Sequence, residues 1–346
     1  MPHRCPKCGG IFDYFDVFNF NPEETEPQKP GLWRYQHAFG LADDAPVVSL
    51  GEGRTPLIWN EIAGKKVGFK LEYQNPTGSY KDRGSAVLAS ELLRRGVNEA
   101  VEDSSGNAGA SFAAYAARAG IKARIFVPES ASGPKRIQIE RVGAELVRIP
   151  GPRSAAAEAV LSEVMKGTVY ASHAYAPFGL AGIATIAYEI YEDLGYAPGS
   201  VIAPVGHGGL LLGIIMGFRA LENAGCISRS PYYLGVQAAA CAPMTALFKT
   251  GTDKDVTEGT TIAEGVKVRN PSRAGAIIKS FSTGNGEMLS IAEEKILPAA
   301  DDLAQRGFYV EPTSALGWAA FLGEPKKLVD PVIVILSGSG YKYQKS

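Results

Sequence analysis

Asn75-Pro-Thr-Gly-Ser-Tyr-Lys-Asp-Arg-Gly84 is the stretch on which the reading of this chain turns. Pro76 and Gly78 force a tight turn after an apolar run ending near Leu71, and the pattern predicts a helix over Ser85–Arg94 with Lys81 at its opening. An amine that attacks a carbonyl needs a lowered pKa, and a helix amino terminus beside the strand ends of a sheet provides it through positive potential and partial desolvation. The position suits a nucleophilic lysine. Taken alone, the same residues also read as a Lys-Asp-Arg charge cluster on the surface.

Outward from that turn, short β-branched runs alternate with longer helical patterns. Val67–Leu71, Ala123–Val127, Val201–Val205, Tyr232–Val236 and Val332–Leu336 read as strands. Such alternation predicts an α/β chain with parallel sheets under covering helices. Asn107 opens an Ala-rich helix that Gly120 closes with a left-handed cap, and Ser290-Ile-Ala-Glu293 has the spacing of a capping box for a helix running toward Gln305. The loop-rich stretch from Thr250 to Asn285 reads as ordered around a site.

The bulk numbers exclude several classes. With 346 residues, 45% hydrophobic and 21% charged, the chain can bury one large core or two. Lys plus Arg at 35 against Asp plus Glu at 36 gives a net charge of -1, so no basic surplus exists to meet nucleic acid. The first residues lack the apolar core of a signal peptide, which points to the cytoplasm. Val201 to Phe218, the most apolar stretch, is interrupted by Pro204, His207 and five glycines and does not read as a membrane span. Four cysteines, at 5, 8, 226 and 241, are too scattered for a disulfide framework. Cys5 and Cys8 have knuckle spacing for zinc, with His3 as a third ligand at best; the other reading is a ribbon that has lost half its ligands and binds no metal.

Three further turns carry small residues into positions that favour anions. In Asp103-Ser-Ser-Gly-Asn-Ala-Gly-Ala-Ser111 the backbone amides at a helix start would receive a carboxylate or phosphate. Gly206-His-Gly-Gly-Leu-Leu-Leu-Gly213 follows an apolar strand; Leu211 stands where a dinucleotide fingerprint wants its third glycine, so a single phosphate is the better guest. Leu336-Ser-Gly-Ser-Gly340 lies at the carboxyl end of the last strand, the edge where open α/β sheets bind ligands.

Taken together and in this order, these segments resemble the threonine synthase branch of the fold-type II, tryptophan synthase beta-like, pyridoxal-phosphate (PLP) enzymes. Gly53-Arg-Thr-Pro-Leu57, Pro204-Val-Gly-His-Gly-Gly209, Val310-Glu-Pro-Thr-Ser-Ala315 and Ser337-Gly-Ser-Gly-Tyr-Lys342 extend the match from about residue 47 to 343. The resemblance implies two parallel-sheet, three-layer domains with the cofactor in the cleft between them. Residues 1–46, with few periodic signals and a polar, Pro-rich patch at Asn21–Pro30, read as an extension laid on the surface; 47–102 with 173–346 is then the large domain, and 103–172 a small inserted one. The resemblance makes Lys81 the Schiff-base lysine and Asn107 the partner of the ring oxygen. The amides of Gly206, His207, Gly208 and Gly209 would hold the cofactor phosphate, and Ser337 would face the pyridine nitrogen. A hydroxyl there makes a milder electron sink than a carboxylate, which suits elimination and replacement. Ser104 and Ser105 lie where the family meets substrate, and a homodimer is implied.

The match fails at one place. Members that use O-phosphohomoserine resemble one another in a segment with Asn-Ser and an arginine that grips the substrate phosphate, whereas this chain has Ser172-His-Ala-Tyr-Ala-Pro-Phe-Gly179. The family's asparagine in the glycine loop is His207 here. A phosphate could instead meet Lys267, Arg269 or Arg273, or these are solvated loop charges; His173 acts on the substrate or is structural. Three readings follow: a threonine synthase or close paralogue, a serine/threonine dehydratase-type deaminase or β-replacement synthase, and a PLP-binding subunit without turnover.

Overall fold

The computed structural model describes residues 2–14, 18–42, 44–131, 133–281 and 284–343. The strands are β1 (Leu57–Ile62), β2 (Lys65–Lys70), β3 (Glu99–Glu102), β4 (Lys122–Pro128), β5 (Glu145–Ile149), β6 (Val169–Tyr170), β7 (Ser200–Pro204), β8 (Tyr232–Ala238), β9 (Gly286–Ile291) and β10 (Val332–Ile335). The helices are α1 (Lys81–Arg94), α2 (Asn107–Ala119), α3 (Pro134–Arg141), α4 (Arg153–Met165), α5 (Gly179–Leu194), α6 (Gly209–Asn223), α7 (Pro243–Thr250), α8 (Ala274–Ser280), α9 (Ile296–Gln305) and α10 (Pro312–Gly323). The alternation read from the sequence is therefore present.

Two units emerge, with bounds that differ from the domain limits the resemblance implied. One comprises the chain up to Gly53 with Asn75–Gly182, the other Arg54–Gln74 with Ile183–Tyr343. In the first unit, four parallel strands run in the order β5-β4-β3-β6. Successive strand residues point to opposite faces. Ala100 and Ile125 pack with Leu88, Leu92, Phe112 and Ala116 of α1 and α2 on one face, while Val101 and Phe126 pack with Val160 of α4 on the other. This sheet is the middle of three layers. The lysine turn lies in this unit because α1 covers the same face as α2.

Gly31–Phe39, expected to lie on the surface, is instead a 3-10 helix with Leu32, Trp33 and Tyr35 wholly buried. The indole of Trp33 donates to Glu52 at 2.9 Å, and Tyr115 of α2 donates to the same carboxylate at 2.7 Å. Burying one large aromatic is worth about 1.5–3 kcal/mol, so apolar content overrode the polar flanks that suggested an extension.

In the second unit the order is β1-β2-β10-β7-β8-β9, parallel except for β1 against β2. Ala63 and Gly64, both at positive φ (53° and 72°), join that hairpin in the manner a two-residue turn requires. Phe69, Ile202, Val236 and Val334 form a core with Leu303, Trp318 and Phe321 of α9 and α10. On the opposite face Gly235 leaves room for Leu211 of α6.

The capping box at Ser290 is not formed. Ser290 is a strand residue paired with Gln237, and the carboxylate of Glu293 accepts from the amide of Ile262 at 2.6 Å. Sheet pairing outcompeted the local cap. Among the described residues no helix is long and apolar enough to cross a membrane.

Candidate active site

In the first unit the turn before α1 is tied by a buried carboxylate. Asp82 accepts from the amide of Thr77 at 2.6 Å and from its hydroxyl at 2.5 Å. Ser111 of α2 donates to Asp82 at 2.6 Å, so one anion fixes the turn, α1 and α2 together. Lys81 is the first residue of α1, four positions earlier than the periodicity suggested, because this network begins the helix at once. Its ammonium lies 4.9 Å from the ring centre of Tyr80, and no side chain caps the helix ahead of it.

α2 starts at Asn107, as expected, and ends at Gly120 in the left-handed conformation. Ser104 is buried, Ser105 half-buried, and the hydroxyl of Ser104 accepts from the amide of Gly106 at 3.2 Å. A Cβ at Gly109 would stand 1.8 Å from the carbonyl oxygen of Ser104, so only glycine lets the loop fold back onto the helix start. No side chain caps this terminus either.

Sequence reasoning missed the acid pair at the end of β3. Glu102 is fully buried; one of its oxygens accepts from the amide of Asp103 and the other lies 2.9 Å from His173 Nδ1. Tyr170 donates to Asp103 at 2.7 Å. Burial pushes the Glu102 carboxyl up, against the hydrogen bonds of Asp103 and the charges of Lys81 and Arg153. Burial, then the charge of Glu102, pushes Asp103 up to about 6. The only trace in the sequence is two acids directly before Ser104-Ser105, where solvated charges are the ordinary expectation.

In the second unit, β7 is buried throughout and leads through Val205–Gly208 into α6. Gly208 has φ +97°, and a Cβ on Gly206 would stand 2.7 Å from the carbonyl oxygen of Gly265. At Gly209 nothing lies within 4 Å of the Cβ position, and α6 has no side-chain cap. An open, uncapped helix start behind a glycine turn has the amides and the space to receive an anion. The carbonyl of His207 accepts from the amide of Arg273 at 3.1 Å and its ring nitrogen lies 3.2 Å from Ser272 Oγ. Ser337, buried at the end of β10, has its hydroxyl 3.1 Å from that of Ser314.

A family model described as pyridoxal-phosphate dependent enzyme matches residues 48–338. The chain belongs to that family. It is 32% identical to the threonine synthase of Methanocaldococcus jannaschii over 97% of this chain and 88% of the relative. To the threonine synthase of Methanosarcina acetivorans it is 30% identical, over 96% and 84%. Among solved structures, the T.th. threonine deaminase superposes with a TM-score of 0.72 at 27% identity, covering 84% of this chain and 94% of the other. The processed form of threonine deaminase isoform 2 from Solanum lycopersicum gives 0.74 at 21% identity over 97% and 94%, a likeness of fold.

The residues present fit the PLP of this family. An amine stands at a helix start, an uncapped glycine-lined helix start is open for a phosphate, and a buried hydroxyl ends β10. Of the loop cations considered for a substrate phosphate, Arg269 is bound to Asp253 at 2.8 Å, Lys267 lies 3.9 Å from Glu258, and Arg273 is buried beside the glycine turn. The sequence reading of Arg269 as a solvated charge gives way to an ion pair. Cys5 is half-buried and Cys8 exposed; the ring of His3 packs edge-on against Tyr170 and Tyr175. Among the described residues no group of three or more His, Cys, Asp or Glu side chains is placed to hold a metal.

Proposed function

We propose that this PLP-dependent lyase is a threonine synthase or a close paralogue, converting O-phosphohomoserine and water to threonine and phosphate. The observation that carries the reading is the identity of about a third, over nearly the whole chain, to threonine synthases. Bound PLP supplies an electron sink for charge developing at the substrate's α-carbon.

The chain's residues supply the rest. Lys81 holds the cofactor, then takes the α-proton on Nζ and returns protons later in the cycle. Asn107 meets the ring oxygen and Ser337 the pyridine nitrogen. The amides of Gly206, His207, Gly208 and Gly209 hold the cofactor phosphate at the start of α6. Ser104 and Ser105, with the first amides of α2, receive the substrate carboxylate, and His173 meets the distal part of the substrate. A cytoplasmic homodimer completes the reading; light scattering of the purified holoenzyme tests its oligomeric state.

The solved threonine deaminase at 27% identity favours a second reading, ammonia release from serine or threonine. Incubating the holoenzyme with O-phosphohomoserine, threonine, serine and O-phosphoserine separates the two. Threonine and phosphate appearing together support the synthase, and 2-oxo acid with ammonia supports the deaminase.

A further inference from the structure

The acid pair at the end of β3 has no part in the chemistry set out so far. Glu102 and His173 are joined at 2.9 Å, so one proton lies between Oε1 and Nδ1 whichever group carries it. That bond fixes the ring's orientation. The carboxylate has no exposed surface whereas a quarter of the His173 side chain is exposed (0% and 25%), so the imidazole is the outward end of a buried carboxyl group. The titratable and charged groups facing the pair are Asp103 on the same loop, Tyr170 from β6, Arg153 from α4 and Lys81 from α1. Ser104 and Ser105 follow in the chain. The buried carboxyl group is thus bonded to the histidine and lies within the field of the Lys81 charge.

We propose that His173, oriented by Glu102, is the general acid that protonates the departing phosphate; this rests on O-phosphohomoserine being the substrate. Breaking the Cγ–O bond of a phosphate monoester dianion leaves the electron pair on oxygen and would expel a phosphate trianion, a poor leaving group. A proton passed from His173 Nε2 to that oxygen as the bond breaks releases the ordinary dianion instead. His173 then regains a proton from the water that adds, whose hydroxyl goes to the β-carbon. The protons that Lys81 took from carbon return to carbon. Glu102 is a positioning residue, holding the ring and supporting its charged form.

The test compares wild-type, His173→Asn and Glu102→Gln holoenzymes by phosphate release and by exchange of the substrate α-proton in deuterated water. Exchange reports the Lys81 step alone. His173→Asn should keep exchange within a few-fold and lose about 10²–10⁴-fold in phosphate release. Glu102→Gln should move the basic limb of the kcat profile about one unit to lower pH, since the imidazolium loses its counter-charge. Phosphate release by His173→Asn within about threefold of wild type, or equal losses of exchange and release, would overturn the proposal. So would an unmoved profile for Glu102→Gln. Wild-type enzyme that releases no phosphate from O-phosphohomoserine would instead overturn the synthase reading, and this inference with it.

Discussion

Lys81 differs from other lysines of the chain by what holds its neighbours. Asp82 next to it is spent on the turn and on Ser111, so the adjacent acid is not available to pair with the amine. Replacing Lys81 by Ala should abolish the visible absorbance of the lysine-bound cofactor and reduce turnover by at least about a thousandfold, read by spectrophotometry and steady-state kinetics. Asp103 makes a prediction of the opposite kind. Its folded-state pKa is about 6 against an ordinary 3.8. Between those values the folded protein binds more protons than the unfolded chain, so stability from this group falls as pH rises from about 4 to about 6 and stays lost above. Asp103→Asn removes the ionisation while leaving Tyr170 an acceptor. It should raise stability at pH 8 by on the order of 1–3 kcal/mol and change it little at pH 4, as urea midpoints at the two pH values would reveal. A gain of the same size at both would refute the assignment.

Among elements, the start of α6 was the most legible from sequence, because an apolar strand, a glycine turn and an apolar helix leave few alternatives. The start of α1 was legible in kind and misplaced by four residues, since the carboxylate network that begins it is a tertiary contact no periodicity records. Ser290-Ile-Ala-Glu293 failed for the complementary reason: a correct local motif lost to pairing with β8. The acid pair at the end of β3 left almost no local signal, because its burial depends on β6 and on His173, about seventy residues away. Two tests belong at this scale. Gly209→Asp puts a carboxylate where space is open at the first turn of α6. It should stabilise the cofactor-free protein by about 0.3–1 kcal/mol through the helix dipole while weakening PLP binding at least about tenfold, measured by melting and by PLP titration. Glu189→Gln should be costly away from the site. Lys70 and Glu189 are both buried and 2.9 Å apart, with Lys70 also donating to the carbonyl of Thr55 at 2.7 Å. Losing the nearer of its two carboxylates, with Asp193 left 3.8 Å from the Lys70 ammonium, should cost up to about 3–5 kcal/mol in a denaturant midpoint.

At the scale of the whole chain, two sheets with separate cores account for its length, and composition bounded that arrangement without locating its seams. The segment up to Gly53 joined the first unit because Trp33 and Tyr115 share Glu52, whose bond to Tyr115 joins residues 63 positions apart. If the cofactor binds the folded chain and not the unfolded one, added PLP must raise stability by mass action, about 2.7 kcal/mol at a hundredfold excess over Kd. The melting temperature should climb with the logarithm of PLP concentration. If, as proposed, Lys81 anchors the cofactor covalently and the start of α6 holds its phosphate, Lys81→Ala should still respond, with a smaller rise at each concentration. Inorganic phosphate should protect both forms alike, since it asks only for that helix start. A Lys81→Ala protein whose melting is indifferent to PLP and to phosphate would mean that the glycine turn at Gly206–Gly209 does not hold the cofactor phosphate.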